Sequence, residues 1–181
     1  VELADVANIT RGITPFEESK VPASPSGYFA SIVRYDPMCG ETAPVDFGPH
    51  LAEYRDLSVF EGSRGIIRRI ISRGFRIQAT WTDHDMVVNK SYLIMHSSSG
   101  YSSAYLVALI GASLHSKRFM WLSASGRRDD YPQVDIVTLG EFPIRIIDFD
   151  HPTDEALKEE ALGRCREAIE AGDYETPFVI A

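Results

Sequence analysis

Residues 86–147 decide how this chain folds. They read MVVNKSYLIM (86–95), then an apolar run, YLVALIGASL (105–114), then RRDDYPQVDIVTLGEFPIRI (127–146). The first piece predicts an extended segment with Asn89-Lys90 at its head. The second predicts a helix over residues 102–118. Ser102 or Ser103 stands where an N-cap hydroxyl accepts a first-turn N–H. Ala104 to Ala112 is apolar on nearly every face, so this helix is expected to be enclosed by other elements. His115, Lys117 and Arg118 fall in its last turn, where cations suit the negative end of the helix dipole. The third piece predicts a charged loop, 123–130, and short strands at 134–137 and 142–147 around Gly140.

Working outward, residues 75–81 alternate strictly. Phe75, Ile77, Ala79 and Trp81 point one way and Arg76, Gln78 and Thr80 the other, which predicts a half-buried antiparallel strand with one polar face. Ile66–Ile71 supplies β-branched bulk for another strand. Residues 1–10 suit a short strand or strand-turn, broken by Gly12 and Pro15. Residues 16–27 and 35–49 are loops rich in Pro or Gly, with a strand at Tyr28–Arg34 between them. His50–Leu57 suits a short helix. Downstream, Thr153 opens an amphipathic helix whose stripe is Leu157, Ala161, Leu162, Cys165 and Ile169, and Gly172 ends it. The expected class is α+β (mixed α/β): a mostly antiparallel curved sheet enclosing one buried helix, with long loops and a C-terminal amphipathic helix. The expected division is a main domain over 1–150 and a helix and tail over 151–181.

The 181 residues, 44% of them hydrophobic, suffice for one core. No run approaches the ~18 apolar residues of a membrane helix. Cys39 and Cys165 are too few and too far apart for a disulfide framework or a zinc site, and read as reduced thiols of a cytoplasmic protein. The chain opens at Val1 without a signal segment and reads as part of a longer protein. The net charge is −8, but it is unevenly spread: residues 61–131 hold 10 Lys/Arg against 5 Asp/Glu. That asymmetry matters because phosphate binding depends on local potential within a Debye length of about 8–10 Å.

Catalytic signatures are missing. There is no glycine-rich dinucleotide loop, phosphate loop, HExxH or nucleophile elbow. The Asp/Asn-Pro-Pro-aromatic run of amino-methyltransferases is missing too. Thr82-Asp83-His84-Asp85 holds metal-ligand types, but neighbours on extended chain point apart, so it reads as a solvated turn. Asp5 with Glu18-Ser19-Lys20 has the residues of a nuclease core, but they fall in a Pro-rich loop. His50, His96, His115 and Tyr101 have no sequence-adjacent partner for acid–base work. No catalytic or metal residue is therefore nominated.

The positive signal is a basic middle with aromatics between its cations. Arg64, Arg68, Arg69, Arg73 and Arg76 fall across two strands, followed by Lys90, Lys117, Arg118, Arg127, Arg128 and Tyr131. Arg offers a planar fork of donors suited to phosphate oxygens and the guanine edge.

These segments resemble the C-terminal specificity domain of TaqI-like adenine methyltransferases. They also resemble the recognition domains of type I restriction specificity subunits. The resemblance rests on five segments in order over about residues 1–147: VELADVANITRGITP, FEGSRGIIRRI, VVNKSYLIM, YLVALIGASL and YPQVDIVTLGEFPIRI. In the fourth, Gly111-Ala112-Ser113 replaces the usual Asn-Ser pair. The resemblance implies a DNA target-recognition domain with no catalysis of its own, docked on double-stranded DNA beside a methyltransferase or restriction domain or subunit. That partner would bind S-adenosylmethionine, with no cofactor in this chain. Base-reading residues differ among such proteins, so no contact list carries over. The nominated nucleic-acid face is Arg64, Arg68, Arg69, Arg73, Arg76, Gln78 and Lys90, with Arg127, Arg128 and Tyr131 on the loop. Lys20 in the loop at 16–27 is a further candidate. The acidic ends keep a second class open, a domain that docks on a protein partner without touching DNA.

Overall fold

The computed structural model describes residues 1–16, 28–31, 42–45, 47–71, 77–84, 86–148 and 150–171. The elements run α1 (Leu3–Val6), β1 (Ala7–Arg11), β2 (Thr14–Phe16), β3 (Tyr28–Ser31), β4 (Thr42–Val45), β5 (Leu51–Glu53), a 3-10 turn (Leu57–Phe60), β6 (Arg64–Arg68), β7 (Ala79–Thr82), β8 (Tyr92–Ser97), α2 (Ser103–Gly111), α3 (Ser113–Leu122), α4 (Ile136–Gly140) and α5 (Pro152–Glu170). The central sheet has the order β1-β8-β6-β7, antiparallel throughout. Two small antiparallel pairs, β2–β5 and β3–β4, complete the strands. The chain is thus a mixed α and β fold with an antiparallel sheet, a buried helix and a C-terminal helix, as its periodicities predict.

Helix α2 is the buried one. Its cap is Ser102, whose hydroxyl accepts the Tyr105 N–H at 3.1 Å. Leu106, Val107, Ala108 and Ile110 are fully buried, each worth roughly 1–3 kcal/mol of transfer free energy according to size. Gly65 in β6 lets the helix come close: a Cβ there would stand 2.8 Å from Met95 Cε and 2.9 Å from Val107 Cγ2. On its other side α2 meets α5, which adds Ala161, Leu162 and Cys165 to the same core.

Register assigns each side chain to a face. Ile67, Ala79, Leu93, Met95 and Ala7 join the core around α2. Ile66, Tyr92 and Ile94 face a second cluster with Ile13, Leu51, Phe60, Val87 and Val88. Both sides of the sheet are therefore covered. This corrects the expected polar face: Gln78 and Thr80 are buried, while Phe75 and Arg76 lie outside the described residues.

Several boundaries differ from expectation, each for a physical reason. The single helix over 102–118 is two, because Ala112 turns extended (ψ 131°) after Gly111, a weak helix former. The strand expected at 134–137 is the short helix α4, set by Asp135, whose carboxylate accepts the Thr138 N–H at 2.8 Å. Such a cap overrides the β-branched preference of Val134-Asp135-Ile136-Val137. Residues 142–147 make one bridge, Glu2 with Pro143, and no strand. His50–Leu57, expected helical, holds β5 instead. The N-terminal segment starts with a helical turn before β1. The strand expected at Ile66–Ile71 runs Arg64–Arg68, the one expected from Val87 starts at Tyr92, and Asn89-Lys90 forms the turn before it; of the strand expected at Tyr28–Arg34, residues 32–34 lie outside the described residues.

Candidate nucleic-acid interface

The chain is knitted together where β6 ends. Arg69 N–H donates to Ser91 O at 2.9 Å, Val134 N–H to Arg69 O at 2.8 Å and Ile71 N–H to Pro132 O at 2.9 Å. Ile70 bridges Gln133. Loop 123–133 is thereby stitched between the end of β6 and the turn at 89–91. Within the loop, Gly126 N–H donates to Ser123 Oγ and Gln133 N–H to Ser125 O.

Side chains reinforce the stitching. Arg69 donates from Nη1 to Lys90 O at 2.9 Å and from Nη2 to Gln133 Oε1 at 3.3 Å. Burial lowers its pKa, helped by the charge of Arg11 and opposed by Asp135 and Glu53. It stays a cation nonetheless. Burial would raise the Asp135 carboxyl, yet bonds from the Thr138 N–H, the Thr138 hydroxyl and the Ser125 hydroxyl outweigh it and hold the group below its ordinary range. Glu53 is likewise lowered, first by the Thr14 hydroxyl and then by Arg11, which reaches both its oxygens at 2.7 and 2.8 Å. Because Asp135 both caps α4 and holds the loop, Asp135→Ala is expected to cost about 1 kcal/mol. That is a fall in Tm of roughly 2–4 °C for a chain of this size. A thermal melt checks it, and limited trypsin cleavage after Arg127 and Arg128 should speed up in parallel.

The nominated residues divide sharply. Lys90, Arg127, Arg128 and Tyr131 are exposed, Tyr131 at 62%. Arg128 pairs with Asp130 at 3.1 Å, and that bond, with one from the Tyr131 N–H, holds the Asp130 carboxyl low. Arg68 and Arg69 are half-buried, Arg68 donating to Gln78 Oε1 at 3.1 Å. Arg64 and Gln78 do not lie on a surface. Arg64 is 0% exposed, and its guanidinium donates to the carbonyls of Gly62, His84 and Met86. Their strands are covered on both sides, so alternation does not bring them to solvent. Arg73, Arg76 and Lys20 lie outside the described residues. Lys90, Arg127, Arg128 and Tyr131 are thus the exposed ones, and Arg69 ties the turn that carries Lys90 to the loop that carries the other three, through Lys90 O and Gln133 Oε1.

Of the other groups, His96 Nε2 meets Val59 O at 2.9 Å. The Tyr101 hydroxyl lies between Arg145 O and Ile147 N–H. Thr82 is buried while Asp83 and His84 are exposed, and Asp85 lies outside the described residues. Among the described residues, no three His, Cys, Asp or Glu side chains cluster as metal ligands would. Sequence reasoning missed Gln133 and Asp135 as residues that hold loop 123–133. It also missed Trp121 and Leu122, whose exposure only the packing of α3 reveals.

No family model matches the chain. Over 119 residues it is 28% identical to a protein of Methanocaldococcus jannaschii described as "Putative type II restriction enzyme and methyltransferase"; the match takes in 64% of this chain and 10% of that protein. The chain thus corresponds to about a tenth of its relative's length. A structural comparison aligns 99% of the chain with 46% of a type I restriction–modification S subunit from M. genitalium, at 10% identity and a TM-score of 0.41. The chain is, over most of its length, similar in sequence to a restriction–modification protein, the class of system its motifs resemble.

Proposed function

We propose that this chain is the DNA target-recognition module of a restriction–modification methyltransferase or restriction enzyme. The observation that carries the reading is the stitched loop and turn. Arg127, Arg128 and Tyr131 stand exposed on a loop fixed to the end of β6, and Lys90 on the adjoining turn, in a chain whose residues 86–128 contain no Asp or Glu although its net charge is −8. Phosphate contacts from such cations set register, and base-edge contacts from Arg and Tyr on the loop set sequence. The relative's description, a restriction enzyme and methyltransferase, supports the same role.

On this reading residues 1–150 recognise double-stranded DNA, while methyl transfer or cleavage belongs to another domain or subunit. On the same reading S-adenosylmethionine belongs to that domain or subunit as well. The site of action is the cytoplasm, where the DNA is. Among the described residues no helix is long and apolar enough to cross a membrane. Helix α5, within the 151–181 segment, sets Glu155, Glu159, Glu167 and Glu170 outward. This acidic face favours a second reading, in which the chain docks on a protein partner without binding DNA.

Fluorescence anisotropy with random duplex DNA, at low and moderate salt, separates the two. DNA recognition predicts binding that weakens steeply with salt. The Lys90→Ala/Arg127→Ala/Arg128→Ala variant should flatten the slope of log K against log salt by about 1 for each phosphate contact removed. A folded chain that binds no DNA at low salt would favour the protein-docking reading instead.

A further inference from the structure

Helix α3 is anchored by one stripe and leaves a different kind of stripe outside. Ser116, Met120 and Ser123 are buried, and Phe119 packs partly buried against Phe142 with ring centroids 5.2 Å apart. The Ser116 hydroxyl also accepts the Ile77 N–H. Positions i, i+3, i+4 and i+7 make up one helix face, so these four residues seat the helix. Lys117, Arg118, Trp121 and Leu122 fall on the other side, with Lys117 one turn from Trp121 and Arg118 one turn from Leu122. Trp121 is 76% exposed and Leu122 67%. A solvated helix face has no use for either, so their presence there calls for something that covers them.

The surroundings say what kind of partner that is. After α3 the chain turns back on the helix end, with Arg127 N–H donating to Ser123 O at 3.2 Å. The turn lies close: a Cβ on Gly126 would stand 2.4 Å from Met120 Cε. Arg127 is thereby held one turn beyond Ser123, with Arg128 next to it, at the C-terminal end of the helix that carries Lys117, Arg118 and Trp121. Asp130 offsets Arg128 through their ion pair, and no acidic residue occurs from Met86 to Arg128. A broad aromatic ring among cations matches a partner that is anionic and also carries flat apolar faces, as a nucleotide does.

We propose that Trp121, backed by Leu122, stacks on a nucleobase whose face has been freed from its pair, while Lys117, Arg118, Arg127 and Arg128 neutralise the flanking phosphates. The proposal rests on the nucleic-acid reading above and adds a ligand to it: an unstacked base. Such a base arises in an opened duplex step or in a single strand, and the same chemistry takes either.

The test titrates the full chain with three labelled DNAs: a paired duplex, the same duplex with one central unpaired base, and a single strand. Wild type, Trp121→Ala and Trp121→Phe are compared, with circular dichroism confirming that each is folded. The DNA with an accessible base should bind tightest. On it, Trp121→Ala should lose about tenfold in affinity, while Trp121→Phe keeps most of it. Tryptophan fluorescence should be quenched on binding in wild type but not in Trp121→Phe, where half-buried Trp81 alone remains. Tightest binding to the bulged duplex assigns the base to an opened step, and tightest binding to the single strand assigns it there. Equal affinity of Trp121→Ala and wild type for all three overturns the proposal and leaves the DNA reading standing. A wild-type chain that binds none of them overturns both.

Discussion

Arg64→Ala is expected to destabilise the fold by about 3–5 kcal/mol, a fall in Tm on the order of 10 °C, while leaving DNA affinity per folded molecule unchanged. The guanidinium donates to Gly62 O and His84 O, each at 2.7 Å, and to Met86 O at 3.2 Å. These carbonyls belong to the turn entering β6 and to the segment leaving β7. Alanine removes a fully buried guanidinium and strips three part-buried acceptors of their donor, and each group left unsatisfied costs about 1–3 kcal/mol before water or a backbone shift recovers part of it. Arg64→Lys should recover only a fraction, because a point ammonium does not span the fork that reaches all three. Urea denaturation gives the stability, and anisotropy below the transition gives the affinity. A variant as stable as wild type but weaker on DNA would return Arg64 to the recognition face.

Gly12→Ala is expected to cost about 3 kcal/mol, at the upper end of ordinary overpacking. Its Cβ would lie 2.3 Å from both Val88 O and Asn89 O and 2.7 Å from Asn89 C. The obstruction is backbone, which no side-chain rotation relieves. The requirement is space: the strand leaving β1 crosses the 88–91 turn in close contact, with Gly12 N–H on Tyr92 O at 3.1 Å and Ile13 N–H on Val88 O at 3.0 Å. A methyl group pries the two apart, and Lys90 and Arg11 sit on either side of the gap. Gly12→Ala should therefore lose DNA affinity as well as stability, unlike Arg64→Ala. Melting and anisotropy on the two variants side by side check the contrast. An unaltered melting temperature for Gly12→Ala would refute the close crossing.

The parts of this fold that could be read from sequence are those written in local periodicity. The apolar run from Ala104 to Ala112 announces a buried helix, Ser102 or Ser103 announces its start, and the 75–81 alternation states which side chains share a face. Alternation does not state whether a face is covered. Ile13, Leu51, Phe60, Val87 and Val88 assemble the second cover from four separate stretches of chain, so Arg64 and Gln78 read as surface residues and are interior ones. The cap at Asp135 likewise outweighs a β-branched stretch because it acts through one hydrogen bond, which residue averages do not weigh. At the candidate site the cations on the loop were legible by charge. Their arrangement was not, because it depends on Arg69 meeting Gln133, 64 residues away. Trp121 escaped notice because the exposed side of α3 is known only once Ser116, Phe119 and Met120 are seen to pack inward.

The order of strands has a bearing on how this chain comes to fold at all. β8 is the strand that joins β1 to the rest of the central sheet, pairing β1 through Ala7–Ser97 to Arg11–Leu93 and β6 through Gly65–Met95 to Arg68–Tyr92. It is also the last of the four to be synthesised. Strand β1 must wait for its partner in this sheet until residue 97 follows it. Closing so long a loop adds little to the equilibrium cost, which grows only with the logarithm of length. It weighs instead on the rate, since pairings distant in sequence are slow to find. A truncation that stops before β8 removes the common neighbour that makes one sheet of the rest.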